Sequence, residues 1–195
     1  MYTIKNNIEK TIIINKSKFI SKSYFVTDIN ETKTIINSLK DEYKDATHIC
    51  FAYKINNIIK YNDDNEPSNT AGLPIYNVIE KNNLNCVLII VIRYFGGIKL
   101  GAGGLTRAYS NSALEVINDN ITKLIKGYNV SIELDYNTIK YVEYILKDTN
   151  IINKDYKDRI NITFETAVDN INVIKKKLNN HIKSFSIINE TYIRK

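Results

Sequence analysis

Apolar residues follow two different periods along the chain, and the period predicts where strands and helices lie. Residues 87–92 form an unbroken apolar run in which β-branched side chains dominate, as is typical of a central strand buried on both faces. Two or three strands are predicted at the start of the chain, over residues 3–8, 11–15 and 18–26. Asp28, with Glu31 three positions later, predicts the start of a helix because the two residues fit a capping box.

Residues 47–55 alternate with period two, which predicts a strand with two distinct faces. The face predicted to lie in the core carries Ile49, Phe51, Tyr53 and Ile55. The other face carries His48, Cys50, Ala52 and Lys54. Small residues beside a histidine indicate a sheet face that large side chains do not fill. A short partner strand is predicted at residues 58–61, and a short helix at residues 74–80 because Pro74 suits the first helical position.

The last third of the chain predicts a second domain with the element order βαββαβ, which is the ferredoxin-like order. Its strands are predicted at residues 129–134, 151–156, 159–166 and 184–193. One helix carries Ile139, Val142, Ile145 and Leu146 on one side, and a second helix is predicted at residues 168–179. A polar stretch that ends at Gly127 predicts the boundary, so that the domains cover residues 1–125 and 126–195.

Most of the glycines follow the central apolar run. Five of the chain's 7 glycines are Gly96, Gly97, Gly101, Gly103 and Gly104. A helix is predicted after them, because apolar residues recur at helical spacing from Leu105 to Val116. The first amides of a helix lack internal partners, so a strand, a glycine loop and a helix start together predict an anion site. The glycine spacing matches neither a Walker loop nor a dinucleotide fingerprint.

Basic side chains surround the predicted helix start. A cation near a helix N-terminus opposes the helix dipole by up to about 1 kcal/mol. Three such cations indicate either a bound anion or an internal acidic partner, and the sequence leaves both interpretations open. The candidate anion- or nucleic-acid-binding residues are Arg93, Lys99, Gly101, Gly103, Gly104 and Arg107. Tyr94 and Phe95 are the candidates for stacking on bases.

Asp63, Asp64 and Glu66 stand close together in a predicted turn that ends at Pro67. Three carboxylates in a short segment are suitable ligands for a hard cation, although no further ligands follow at a recognised loop spacing. We favour the interpretation that they cap the turn and neutralise the basic residues of the glycine loop. His48 and these three carboxylates are nevertheless the candidate acids, bases or metal ligands of the chain, and no cofactor is predicted.

Four segments resemble, together, the signature of the YigZ/IMPACT family. They are S-K-F-I at residues 17–20, A-T-H-I-C-F-A-Y at 46–53, D-D-N-E-P-S-N-T-A-G-L-P at 63–74 and R-Y-F-G-G-I-K-L-G-A-G-G-L-T-R-A-Y at 93–109. The segments occur in the family's order and span most of the first 125 residues. Asn65 and Asn69 stand where most relatives have glycine. Because Asn is the next best residue for positive φ, we expect the turn to keep its shape.

The resemblance implies an α+β protein of two domains. The first is expected to be a two-layer β/α domain similar to domain four of elongation factor G, and the second a ferredoxin-like domain similar to domain five. A two-layer fold leaves one sheet face open, and His48, Cys50 and Ala52 are expected to lie on it. Eukaryotic relatives carry an additional N-terminal partner-binding domain and restrain a starvation-activated kinase of a translation initiation factor. The chain begins at the shared domain, as in the prokaryotic branch, for which a role with nucleic acid or in translation is expected.

Composition adds little to this picture. The chain has 195 residues, 44% of them hydrophobic and 25% charged, as is typical of a soluble globular protein. A cytoplasmic location is expected, since neither a signal peptide nor a run long enough for a membrane span is visible. Cys50 and Cys86 lack metal-like spacing and are expected to be buried, reduced thiols. The net charge of +6 is spread evenly along the chain, so it permits nucleic-acid binding without indicating it.

Three functions are compatible with these residues. We favour a non-enzymatic protein that binds RNA or the ribosome and regulates translation under stress, with the basic loop on phosphates. The second is an enzyme for a phosphorylated small molecule held at the glycine loop, with His48 or the carboxylates as acid, base or metal ligand. The third is a regulator that acts through a protein partner in a translation-factor kinase pathway, as in the eukaryotic relatives. The sequence does not predict the oligomeric state.

Overall fold

The structure is a computed structural model that describes residues 1–195. It contains ten strands and five α-helices, which confirms the predicted α+β class. The chain divides by its contacts into two compact units, one of residues 1–124 with Arg194 and one of residues 125–193 with Lys195. No helix of the chain has both the length and the apolar character needed to cross a membrane.

The first unit is built around one antiparallel sheet. The strands of the unit are β1 (Tyr2–Ile4), which lies outside this sheet, and β2 (Ile8–Ile14), β3 (Ser17–Phe25), β4 (His48–Ile55), β5 (Ile58–Asn62) and β6 (Val87–Tyr94), which form it. Its helices are α1 (Ile29–Glu42), α2 (Gly72–Lys81) and α3 (Gly101–Glu115). The sheet order is β2-β3-β6-β4-β5, so the apolar run forms the central strand β6, as predicted. Asp28 caps α1 as predicted, because its side chain accepts hydrogen bonds from the amides of Asn30 and Glu31.

Both faces of this sheet are covered by helices, so the expectation of an open face at Cys50 and Ala52 was wrong. Helix α1 covers the face that carries Phe51 and Tyr53. Helices α2 and α3 cover the other face, where Cys50 and Ala52 are both 0% exposed. The small side chains on this face do not leave it empty. They leave room for the two helices, and the unit has three layers instead of two.

The second unit has the predicted element order βαββαβ. Its strands are β7 (Ile121–Leu134, which begins in the first unit), β8 (Asn150–Tyr156), β9 (Ile160–Ala167) and β10 (Ser184–Arg194). Its helices are α4 (Ile139–Leu146) and α5 (Ile171–Leu178), and the sheet order is β10-β7-β9-β8. Part of the polar stretch at which the boundary was predicted is strand, because residues 121–123 of β7 pair with β1. Pairing with a strand distant in sequence cannot be read from local polarity.

Candidate functional site

A cavity of about 430 Å³ lies in the first unit, where β6 ends and α3 begins. Its walls include His48, Glu66, Arg93, Phe95, Lys99 and Gly101. The chain therefore brings one residue of the carboxylate turn, the histidine of β4 and part of the glycine loop to one place. A cavity of this volume lies in the usual range for small-ligand sites.

A buried ion pair forms the floor of the cavity. The side chains of Glu66 and Arg93 are 3% and 5% exposed, and Arg93 Nη1 donates to Glu66 Oε1 at 2.5 Å. The guanidinium lies between two aromatic rings, 5.4 Å from the centroid of Phe19 and 5.5 Å from that of Phe95. The sequence left two explanations for the basic residues, a bound anion or an internal acidic partner. For Arg93 the structure shows the internal acidic partner, Glu66. Burial makes this pairing necessary, since an unpaired buried charge is costly.

Tyr109 of α3 completes the floor. Its hydroxyl donates to the same Glu66 oxygen, Oε1, at 2.7 Å. Burial raises the pKa of Tyr109 far above its usual range, so the hydroxyl stays protonated and remains a donor. The Cys50 thiol lies 3.4 Å from the Tyr109 oxygen, and burial raises its pKa as well. A buried neutral thiol is a poor nucleophile, so Cys50 belongs to the packing of the floor.

Asp63 and Asp64 hold the backbone of the turn instead of facing the cavity. Asp63 accepts hydrogen bonds from the amides of Ala71 at 3.0 Å, Gly72 at 2.8 Å and Asn69 at 2.9 Å. Asp64 Oδ2 accepts from the amide of Ile49 at 2.6 Å, which fixes the turn to β4. Asp63 and Asp64 therefore have the turn-capping role that was favoured for the carboxylates.

The turn also has the shape expected for its asparagines. Asn65 and Asn69 have φ angles of 66° and 64°, in the left-handed region where glycine is otherwise preferred. This shape carries the chain from Asp64, which is bonded to the amide of Ile49 in β4, to Glu66 at the cavity. Glu66 is the one carboxylate of the three that lines the cavity. No group of three or more His, Cys, Asp or Glu side chains is placed to hold a metal ion.

His48 and Glu66 place a ring nitrogen and a carboxylate oxygen next to each other at the cavity wall. His48 Nδ1 lies 2.8 Å from the backbone oxygen of Asp64. Because a carbonyl oxygen only accepts, Nδ1 carries the proton, and a neutral ring then presents Nε2 as an acceptor. His48 Nε2 lies 3.8 Å from Glu66 Oε2, an oxygen that makes no hydrogen bond to the protein. The two atoms are free to share a water molecule or a polar group of a ligand.

The start of α3 forms the opposite wall. Leu100 is the N-cap residue and gives no side-chain hydrogen bond to the helix, and the first turn holds no acidic residue. Gly101, with φ of 68°, and Ala102 both line the cavity. The first amides of α3 are therefore available to an anion in the cavity, and Lys99 adds a positive charge beside them. Lys99, Arg93 and Glu66 together contribute a net charge of +1 to the cavity wall.

Four of the candidate anion-binding and stacking residues lie outside the cavity: Gly103, Gly104, Arg107 and Tyr94. Arg107 is exposed on α3, and Gly103 would place an added Cβ 3.6 Å from its guanidinium. Tyr94 lies on the face of the sheet that α1 covers, and its hydroxyl donates to Asp45 Oδ1 at 3.0 Å. Successive residues of a strand point to opposite faces, so Arg93 and Tyr94 cannot share one site. Phe95, 46% exposed, is the aromatic side chain that remains available to a ligand.

Two residues of the site were missed by the sequence analysis. Tyr109 was not singled out, and nothing in its spacing indicated a bond to Glu66, 43 positions away. Ser17 accepts from the amide of Gly96 at 3.2 Å and lies 3.4 Å from Arg93 Nη2. Both residues lie inside segments that carry the family resemblance, at residues 17–20 and 93–109. The resemblance is the feature of the sequence that could have pointed to them.

Comparison with known proteins gives one consistent result. The chain matches the Impact N-terminal domain over residues 15–117, a range that contains every residue of the cavity. It is similar to IMPACT family member YvyE of Bacillus subtilis (strain 168), with 39% identity over 174 residues, which cover 86% of this chain and 79% of that protein. It is similar to IMPACT family member YigZ of Escherichia coli (strain K12), with 30% identity over 154 residues and 74% of each chain covered.

A solved structure supports the fold. The crystal structure of a hypothetical protein is similar to this one with a TM-score of 0.63 and 23% identity, over 96% of this chain and 97% of that chain. At this level of identity the likeness concerns the fold alone. It spans both units, so the α+β arrangement seen here also occurs in an experimental structure.

Proposed function

The chain belongs to the IMPACT family, and from that premise we propose that it acts in translation as a non-enzymatic protein that binds RNA or the ribosome. The observation that carries the proposal is the uncapped start of α3, which lines the cavity together with Lys99. Helix amides without a side-chain cap and a neighbouring lysine are the chemistry that holds a phosphate group. The family resemblance, in which eukaryotic members act on a translation pathway, supports the same direction.

A phosphate of the RNA backbone occupies the space next to Gly101 and Ala102 in this proposal. Lys99 supplies the attracting charge, because the charge of Arg93 is already neutralised by Glu66. The half-exposed ring of Phe95 at the cavity wall is available for stacking on a base. Arg93 acts as a positioning residue that holds this ring in place. The site size suits one nucleotide, so the ligand is single-stranded RNA or an RNA end.

Titration of a labelled single-stranded RNA over a series of salt concentrations tests this proposal. Lys99→Ala is expected to weaken binding and to lower the slope of log K against log salt by about 0.7, the value for one lost phosphate contact on a single strand. Lys10→Ala removes an exposed lysine of β2 and serves as the charge-matched control. Affinity that does not depend on salt, or that Lys99→Ala and Lys10→Ala change equally, contradicts the proposal.

A second candidate function is favoured by the His48 and Glu66 pair. A proton acceptor and a carboxylate 3.8 Å apart at the wall of an anion-binding cavity are suited to acid-base chemistry on a phosphorylated small molecule. The melting temperature of the protein in a panel of phosphorylated metabolites tests this function. A ligand that raises it, and whose effect His48→Gln removes, supports an enzyme. If no member of the panel shifts the melting temperature, this candidate is rejected.

A further inference from the structure

A second cavity, of about 350 Å³, lies on the other side of the same sheet, between α1 and the strands β4 and β5. We call it the lysine groove, and we define it by Lys33, Lys40, Lys60, Phe51, Tyr53 and Asn62. We propose that the lysine groove is a second anion-binding site, which takes the phosphate groups of a polyphosphorylated ligand. The proposal does not depend on the function proposed for the first cavity.

Three lysines converge on the lysine groove without any acidic neighbour. Its lining contains no Asp or Glu, although the chain has 21 acidic residues. None of the three forms an ion pair, whereas Lys22, Lys54, Lys154, Lys157 and Lys183 do. Three positive charges along one groove raise the local positive potential, which favours the entry of an anion.

The spacing along α1 explains why Lys33 and Lys40 lack partners within the helix. Side chains three and four positions apart are neighbours on a helix surface. At these positions Lys33 and Lys40 have Ile29, Asn30, Ile36, Asn37, Tyr43 and Lys44, none of them acidic. The seven-residue separation places both lysines on one side of α1, and both line the groove. Neither lysine therefore has an acidic neighbour on the surface of α1, and neither forms an ion pair elsewhere.

The floor of the lysine groove strengthens the effect of its charges. Phe51 and Tyr53 are 7% and 5% exposed, and their rings are stacked with centroids 6.3 Å apart. Lys60 pairs across the strands with Tyr53, and Asn62 pairs with Phe51, so all four side chains share this face. A cleft with charges of one sign and apolar walls focuses the electric field and concentrates counter-ions. A phosphate group above this floor would therefore be attracted by the positive potential of the three lysines.

Neutral donors complete the groove. Asn62 Oδ1 accepts a hydrogen bond from the amide of Asp64 at 2.8 Å, which fixes the orientation of the side-chain amide. The NH₂ group of Asn62 is thus left without a protein partner and can only donate. Asn37 of α1 also lines the groove. The polar groups of the groove are lysine ammonium groups and side-chain amides, and none is negatively charged. This set favours an anion with several oxygens over a cation or an apolar ligand.

The test compares two ligands and three proteins. The ligands are inorganic tripolyphosphate, followed by calorimetry, and a labelled single-stranded RNA, followed by fluorescence anisotropy. The proteins are the native chain, the variant Lys40→Ala/Lys60→Ala and the charge-matched control Lys10→Ala/Lys81→Ala, whose lysines are exposed outside the groove. All four lysines are exposed, so the variants are expected to fold, and far-UV circular dichroism checks this.

At low salt we expect the native chain to bind at least one of the ligands, and Lys40→Ala/Lys60→Ala to lose affinity for it by about tenfold or more. The control should lose much less. Loss toward tripolyphosphate identifies a free polyphosphate as the source of the phosphate groups, and loss toward RNA alone identifies the RNA backbone. The proposal is overturned if neither ligand binds, if the groove variant keeps its affinity, or if the control loses as much.

Lys99→Ala is measured in the same titrations to separate the two sites. If Lys99→Ala leaves RNA binding unchanged and the groove variant abolishes it, the function proposed for the first cavity fails and the lysine groove stands. If Lys99→Ala abolishes RNA binding and the groove variant changes neither RNA binding nor tripolyphosphate binding, the lysine groove is not an anion site. The function proposed for the first cavity then stands.

Discussion

Neutralising Glu66 should destabilise the first unit strongly, because it leaves the Arg93 charge buried without a partner. Glu66→Gln keeps the size of the side chain and one oxygen that can accept from Arg93 and Tyr109. The substitution therefore removes charge with little change in packing. Both side chains are at most 5% exposed, and removing one partner of such a pair costs about 3–5 kcal/mol in the free energy of unfolding.

Two further variants separate the charge from the hydrogen bonds. Tyr109→Phe removes one hydrogen bond to the carboxylate and leaves the ion pair intact, so we expect a loss of about 1.5–3 kcal/mol. Arg93→Met removes the buried cation. Glu66→Gln should cost much less in an Arg93→Met background than in the native chain, with a coupling energy of at least about 1 kcal/mol between the two positions.

Urea denaturation followed by circular dichroism measures these free energies. The chain has no Trp, so the backbone signal is preferable to fluorescence. The reasoning is refuted if Glu66→Gln lies within about 1 kcal/mol of the native chain, or if its cost is unchanged in the Arg93→Met background. Either result would mean that water or another group balances the charge of Arg93.

The remaining predictions concern single positions of the first unit and use the same unfolding assay. Gly96→Ala should cost more than Gly97→Ala, because an added Cβ at Gly96 meets the Lys16 backbone at 2.0 Å while Gly97 has open space; equal costs would show that the loop moves freely. Gly97→Ala should still cost about 1–2 kcal/mol, since its φ is 82°. Asp28→Ala should cost about 1 kcal/mol through loss of the α1 cap, and no loss would mean that another group caps the helix. Burial raises the pKa of Cys86 to about 11 from 9.0. Stability should therefore fall as the pH rises from 9 to 11, and it should fall less in Cys86→Ala. An identical fall in both proteins would show that ionisation of Cys86 is not the cause.

Local composition was enough to predict the central elements of the fold. The run that became β6, the cap at Asp28 and the order of the second unit depend on neighbours a few residues apart, which the sequence displays directly. The start of α3 after the glycine loop was predicted for the same reason, since glycine content and helical spacing are local properties.

Features that depend on distant residues were not predictable in this way. Alternation along β4 showed which side chains share a face, but the helices that cover Cys50 and Ala52 come from later in the chain. An acidic partner for the basic residues of the glycine loop was expected from the carboxylate turn, but packing decides that Glu66 and Arg93 form the pair, 27 positions apart. The same limit explains the lysine groove: Lys33, Lys40 and Lys60 are ordinary surface lysines in the sequence, and only the packing of α1 on the sheet brings them together.

The most direct test of the account is to observe where RNA contacts the first unit. Nuclear magnetic resonance of the ¹⁵N-labelled protein, titrated with single-stranded RNA, reports on each backbone amide. We predict that the amides of Gly101 and Ala102 shift with added RNA, and that Lys99→Ala reduces these shifts while Lys10→Ala does not. Resonances at the start of α3 that stay unmoved while RNA binds elsewhere on the chain would contradict the claim that this cavity is the binding site.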